Sequence, residues 1–243
     1  MNNHKIHADA IIFDKDGTLI DFDAFWVAVS KAALHDAMAQ LGQEEALADE
    51  ILEAIGVHNG ITDIDSVLCM GTYGQIAEVA HRVLQAHGCE ISMEQLTKCI
   101  VAAYNNDTSV GKIKATCPNL REVLTTLKAH HKKLAVITTD NPEVTAFCLK
   151  KLGVADLFDK VYTDDGVLPT KPCPDCALDF CSLNHLDKEN VVMVGDTMTD
   201  VNFAHNVGMN VIGIAKSERN EAVLGHDADA IIHDLSELVD LVD

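Results

Sequence analysis

From Ala10 to Phe13 every position is apolar, and the run ends at two aspartates separated by one residue. A short apolar run bounded by a polar turn is the pattern of a strand buried on both faces. Similar segments, short and rich in β-branched residues, recur at 134–138, 160–163, 191–195, 211–214 and 230–232. Helical spacing of apolar positions separates most of them, at 119–130, 143–152, 175–184 and 201–207. Strands alternating with helices predict an α/β protein with a Rossmann-like, doubly wound parallel sheet.

The stretch between the first two strands has a different period. From 23 to about 106 the spacing is helical and no clear strand is expected. Residues 25–40, 44–55, 73–87 and 92–105 read as four helices. Ser92-Met93-Glu94-Gln95 has the S-x-x-Q form of a capping box, which places the start of the fourth. Gly56-Val57-His58-Asn59-Gly60 and Gly71-Thr72 read as turns. The expected organisation is a sheet domain made of 1–20 and 112–243, interrupted by a helical block at 21–111. The crossings between them are short, near 20–23 and 110–115.

Composition narrows the function. At 48% hydrophobic residues the chain can fill a core, and no run reaches the ~18 apolar residues of a membrane span. Met1-Asn2-Asn3-His4-Lys5 leads almost directly into the first strand, so no secretory signal and a cytoplasmic location are expected. The eight cysteines follow no framework spacing. Cys173-Pro174-Asp175-Cys176 lacks the second pair that a zinc site needs, so its thiols are expected to be ordinary. The formal net charge of −20 opposes binding to nucleic acid or to an anionic membrane. An anionic substrate would need local positive charge, from a metal ion, a lysine or helix N-termini.

Four places carry the candidate chemistry. Asp14 and Asp16 lie at the carboxyl end of the first strand, where ligands bind in open α/β sheets, and Gly17 permits the sharp turn that follows. Paired carboxylates there can hold a divalent metal, and one can attack phosphorus while the other moves a proton. Thr138 ends the next strand just before Pro142 and Glu143 begin a helix, which suits its hydroxyl and the N–H groups after it to a phosphoryl oxygen. Lys171, in Thr170-Lys171-Pro172, would supply a point charge. Asp196 and Asp200 follow the strand at 191–195; their oxygens suit a hard cation, best Mg²⁺.

These segments, in this order, resemble the four motifs of the haloacid dehalogenase-like superfamily: Asp14-Lys15-Asp16-Gly17-Thr18-Leu19, then 134–138, then Lys171-Pro172, then 191–200 ending in Gly195-Asp196-Thr197-Met198-Thr199-Asp200. The resemblance implies that the block at 21–111 is a helical cap. It implies a Mg²⁺-dependent phosphatase that forms an aspartyl phosphate on a small phosphorylated metabolite, with a layout like that of phosphoglycolate phosphatases. Asp14 would be the nucleophile and Asp16 the acid and base, its backbone carbonyl also a metal ligand. Thr138, Thr139 and Lys171 would hold phosphate. Asp14, Asp16 and Asp196 would hold the metal, and Asp200 would bind it through water or orient Lys171. The family often has Asn directly after the hydroxyl residue; here Thr139 stands there.

Asp16 argues against rival chemistries. P-type ATPases have Thr at its position, and haloacid dehalogenases and phosphonoacetaldehyde hydrolases have no acid there. A sugar phosphomutase keeps both acids and is the nearest alternative. Receiver domains also use an aspartyl phosphate for signalling, but order their residues differently and lack the insertion. The stretch from His58 to Thr72 in the block at 21–111, together with Lys31, Arg82, Lys98, Lys112 and Lys114, holds the candidates for reading the rest of the substrate. The pattern sets no oligomeric state.

Overall fold

The computed structural model describes residues 5–107 and 111–243. The N-terminal lead at 1–4 and the part of the second crossing at 110 lie outside them. In chain order the elements begin with strand β1 (Ala10–Phe13). A π-helical turn (Asp23–Val27) runs into α1 (Ala28–Gln40), followed by α2 (Glu45–Ala54), strands β2 (Val57–His58) and β3 (Ile61–Thr62), α3 (Val67–Met70), α4 (Tyr73–Ala86) and α5 (Met93–Asp107). Then come α6 (Leu120–Ala129), β4 (Lys133–Ile137), α7 (Pro142–Lys151), β5 (Lys160–Tyr162), α8 (Asp175–Asn184), β6 (Val191–Gly195), α9 (Met198–Val207), β7 (Asn210–Ile214), α10 (Glu218–Leu224), β8 (Ala230–Ile232) and α11 (Leu238–Leu241). The chain divides into two compact units, Met1–Asp21 with Ile113–Asp243, and Phe22–Lys112.

The first unit is the α/β fold that the alternating pattern predicts. Its six strands run in the order β5-β4-β1-β6-β7-β8, and every neighbouring pair is parallel. β1 is central: Ile11 lies opposite Leu134 on one side and Val192 on the other. From β1 the chain builds one half of the sheet outward through β4 and β5. It then returns to build the other half through β6, β7 and β8. The order therefore reverses beside β1, and a crevice opens there at the carboxyl ends of the strands. All four residues of β1 are fully buried. Ala10, Ile12, Ala135, Ile137 and Met193 pack with Phe180 of α8 and Phe203 of α9. This burial on both faces explains why the strands read as continuous apolar runs rather than alternating ones.

The second unit is mainly helical. Ala33, Leu34, Ala37 and Met38 of α1 are fully buried, as are Leu96, Ile100 and Tyr104 of α5. It also contains a structure absent from the sequence reading. Val57–His58 and Ile61–Thr62 pair antiparallel as a hairpin, where only turns were expected. Its two-residue loop is Asn59-Gly60, with φ of 54° and 79°. Positive φ at both loop positions matches the twist of the flanking strands, which favours Asn-Gly. The expected helix at 25–40 is also modified, because its first turn is π-helical. Reciprocal capping boxes occur at Thr72 and Gln75 before α4, at Thr197 and Asp200 before α9, and at Asp234 and Glu237. At the predicted site, the Gln95 N–H donates to the Ser92 hydroxyl at 3.3 Å.

Among the described residues no helix is long and apolar enough to cross a membrane.

Candidate active site

β1 delivers its carboxylate directly into the crevice. The Asp14 N–H donates to the Val194 carbonyl at 2.9 Å, which carries the pairing of β1 with β6 one residue past the strand. The chain then turns back on itself: Leu19 and Ile20 N–H groups both donate to the Lys15 carbonyl at 2.9 Å. Gly17 takes φ of 86°, and a Cβ there would lie 2.0 Å from Asp196 Oδ2. Only glycine suits both the left-handed backbone and the close approach of that carboxylate. The Thr18 hydroxyl donates to Asp196 Oδ1 at 3.3 Å, which ties the turn to the end of β6.

Lys171, on the segment before α8, is buried between two acids. Its Nζ donates to Asp14 Oδ1 at 2.5 Å and to Asp200 Oδ1 at 2.6 Å. The other oxygen of Asp200 accepts from the Thr197 N–H at 3.1 Å and from the Thr197 hydroxyl at 2.8 Å. Thr197 is the N-cap of α9, so the helix start fixes Asp200, and Asp200 aims the lysine. Asp200 thus contacts Lys171 and also belongs to a cluster of carboxylates with Asp14 and Asp196.

The electrostatics follow from burial. Burial raises the Asp14 pKa, Lys171 opposes it, and the result is about 7. Asp196 is raised well above the usual carboxylate range, first by burial and then by Asp14 and Asp200. Burial works against the Lys171 ammonium, but Asp14 and Asp200 outweigh it and hold its pKa above the ordinary lysine value. Carboxylate oxygens of Asp14, Asp196 and Asp200 lie within 4.8 Å of one another. Buried acids this close repel each other, and an all-oxygen donor set fits a hard dication. The residues present therefore fit a divalent metal.

The other expected site residues fall in different places. Thr138 is buried at the end of β4, and its hydroxyl accepts from the Asp140 N–H at 3.2 Å. Thr139 is exposed. The Asp16 carboxylate stands outside the acidic trio, with Oδ2 2.6 Å from Lys15 Nζ. Lys15 is fully buried and lies 3.0 Å from Asp140 Oδ2 as well. The sequence reading gave Lys15, Thr18 and Asp140 no individual roles. Of the basic residues in the expected substrate-reading set, Lys31 pairs with Asp49, Lys98 with Glu94 and Lys114 with Asp21. Arg82 and Lys112 are exposed. Cys173 is exposed and Cys176 buried; both are free thiols, and burial pushes Cys176 up to about 11.

A parallel sheet whose order reverses beside a strand ending in two aspartates, with a buried lysine and a second acidic turn across the crevice, defines a hydrolase class built on an aspartate site. Residues 11–214 match the family model for haloacid dehalogenase-like hydrolases, and the chain belongs to that family. It is 29% identical to a phosphoglycolate phosphatase of Neisseria meningitidis over 231 residues, covering 93% of this chain and 88% of the relative. Among solved structures, a predicted phosphoglycolate phosphatase from Haemophilus somnus superposes with a TM-score of 0.71 at 19% identity, over 96% of this chain and 97% of that one. A HAD-superfamily hydrolase from Geobacter sulfurreducens gives 0.68 at 19% identity, over 99% and 98%. The two structures share the fold.

Proposed function

We propose that this protein is a Mg²⁺-dependent phosphatase that hydrolyses a small phosphorylated metabolite, of the phosphoglycolate type, through an aspartyl phosphate. The observation that carries the reading is Lys171, buried and held at 2.5 Å from Asp14 and 2.6 Å from Asp200. It places a fixed positive charge beside a carboxylate at the sheet crevice, in a chain whose net charge is −20. The resemblance to phosphoglycolate phosphatases over most of its length supports the same class of substrate.

In this mechanism an Asp14 oxygen forms a bond to phosphorus as the bond from phosphorus to the leaving oxygen breaks. Asp16 gives that oxygen its proton. Asp16 then takes a proton from water, whose oxygen attacks the phosphoryl group and releases Asp14. Lys171 offsets charge on the nucleophile and on the phosphoryl oxygens, and the Thr138 hydroxyl, which accepts from the Asp140 N–H and keeps its own proton to donate, would hold a phosphoryl oxygen. Asp14 and Asp196 would hold the metal, with the Asp16 backbone carbonyl. The bound metal supplies Lewis-acid neutralisation of phosphate charge.

A panel of phosphorylated metabolites, assayed for released phosphate with Mg²⁺, tests the reading. Multiple turnovers with inorganic phosphate as product are expected. Isomerised sugar phosphate without free phosphate would instead make the protein a mutase.

A further inference from the structure

Lys15 is the buried charge that the mechanism above leaves unused. Its side chain is fully enclosed, yet it touches two carboxylates, Asp16 Oδ2 at 2.6 Å and Asp140 Oδ2 at 3.0 Å. Burial works against its ammonium, but the two acids more than offset that and keep it charged. A buried ion pair is seldom needed for stability, since apolar residues of similar volume often serve as well. Its position is informative. Lys15 follows the nucleophile on the loop leaving β1, and Asp140 lies on the loop leaving β4. Asp140 is itself anchored, accepting from the Asn141 N–H through Oδ1 at 2.8 Å. The pair thus ties two site loops together and ends on one oxygen of Asp16. The other oxygen, Oδ1, is buried and has no hydrogen-bond partner among the described residues.

We propose that Lys15, backed by Asp140, is a positioning residue for Asp16. It clamps Oδ2 and leaves Oδ1 as the oxygen that gives a proton to the leaving group and later takes one from water. This rests on the phosphatase reading. Its signature is a dependence on the leaving group. Cleaving an alkyl phosphate needs a proton on the departing oxygen, whereas a nitrophenolate departs without one. A lysine that only supported the fold would affect both kinds of ester alike.

The test is kcat/KM, which reports the steps up to release of the leaving group, across phosphate monoesters from nitrophenyl to alkyl. General acid–base catalysis is worth roughly 10²–10⁴-fold. Lys15→Met should therefore lower kcat/KM for alkyl esters at least ~10-fold more than for the nitrophenyl ester, and Asp16→Asn should show the same slope more steeply. The double variant Lys15→Met/Asp140→Leu, which does not strand Asp140 as a buried charge, carries the test if the single variant does not fold. Uniform loss across the series in the Lys15 variants, beside a graded loss in Asp16→Asn, would overturn the clamp alone. A uniform loss in Asp16→Asn would remove the acid role of Asp16, and the clamp with it. Failure of both Lys15 variants to fold would make the lysine structural and overturn the proposal.

Discussion

At Asp14 a single carboxylate meets Lys171 on one side and the acidic end of β6 on the other. Asp14→Asn keeps the shape but makes a poor nucleophile and a neutral ligand. Loss of one member of a catalytic unit typically costs about 10⁴-fold in kcat. That loss is expected here with an unchanged circular dichroism spectrum, and retention of a tenth of the wild-type rate would exclude Asp14 as nucleophile. Gly17 gives a different kind of test. An alanine there meets both the φ of 86° and Asp196 Oδ2, so the turn and the acid must shift together. Backbone strain of this kind costs on the order of 1–3 kcal/mol. Gly17→Ala should lower the thermal midpoint and weaken Mg²⁺ activation, read from the metal concentration at half-maximal rate. The convergence of Asp14, Lys171, Asp196 and Asp200 was legible in the sequence because each stands at an apolar strand's end or in a recognisable motif. The pairing of Lys15 was not, since a lysine carries no mark of burial in one dimension. Nor was the exposure of Thr139, because neighbouring hydroxyls look alike until the strand's last residue is fixed.

Among the elements, α7 rests on a local device that can be removed cleanly. Asn141 is its N-cap, accepting from the Val144 N–H at 2.9 Å, with Pro142 in the first turn. Asn141→Ala should destabilise the protein by about 1 kcal/mol, the usual value of an N-cap. The urea midpoint should fall with its slope unchanged; an unchanged midpoint would mean that the helix start is held by other contacts. The same scale shows what a one-dimensional pattern resolves. β1, β4, β6 and β7 were legible because burial on both faces makes them continuous apolar runs. The β2–β3 hairpin was not, because each strand has only two residues and no alternation develops. Its Asn59-Gly60 loop was the available signal. α10 escaped because Glu218, Arg219, Asn220 and Glu221 fill its first turn with polar groups, leaving only Leu224 fully buried.

For the whole molecule, the three close carboxylates predict linkage between metal and stability. A ligand at about 100 times its Kd stabilises by roughly 2.7 kcal/mol. Saturating Mg²⁺ should thus raise the melting temperature by several degrees, chelation should reverse the rise, and no shift would argue against a metal at this site. The inserted block can be tested as a unit. The Asp21 N–H donates to the Lys114 carbonyl at 2.8 Å within the sheet unit, so the ends left by excising 22–112 already lie side by side. A short linker there should give a core that still cleaves a small aryl ester but discriminates poorly among metabolites; equal losses on all substrates, in a folded core, would show that the block does not select substrate. The central place of β1 has a consequence for synthesis on the ribosome. Its partners are Lys133–Ile137 and Val191–Gly195, the second of which emerges roughly 180 residues after Phe13. At about 5–20 residues per second, that is an interval on the order of 10–35 s. For that time the apolar strand that leads into Asp14 waits without both neighbours, while the helical block, with its local contacts, can form between them. Nascent chains stalled before residue 191 should therefore recruit a hydrophobic-binding chaperone at 10–13, and chains released beyond 214 should not.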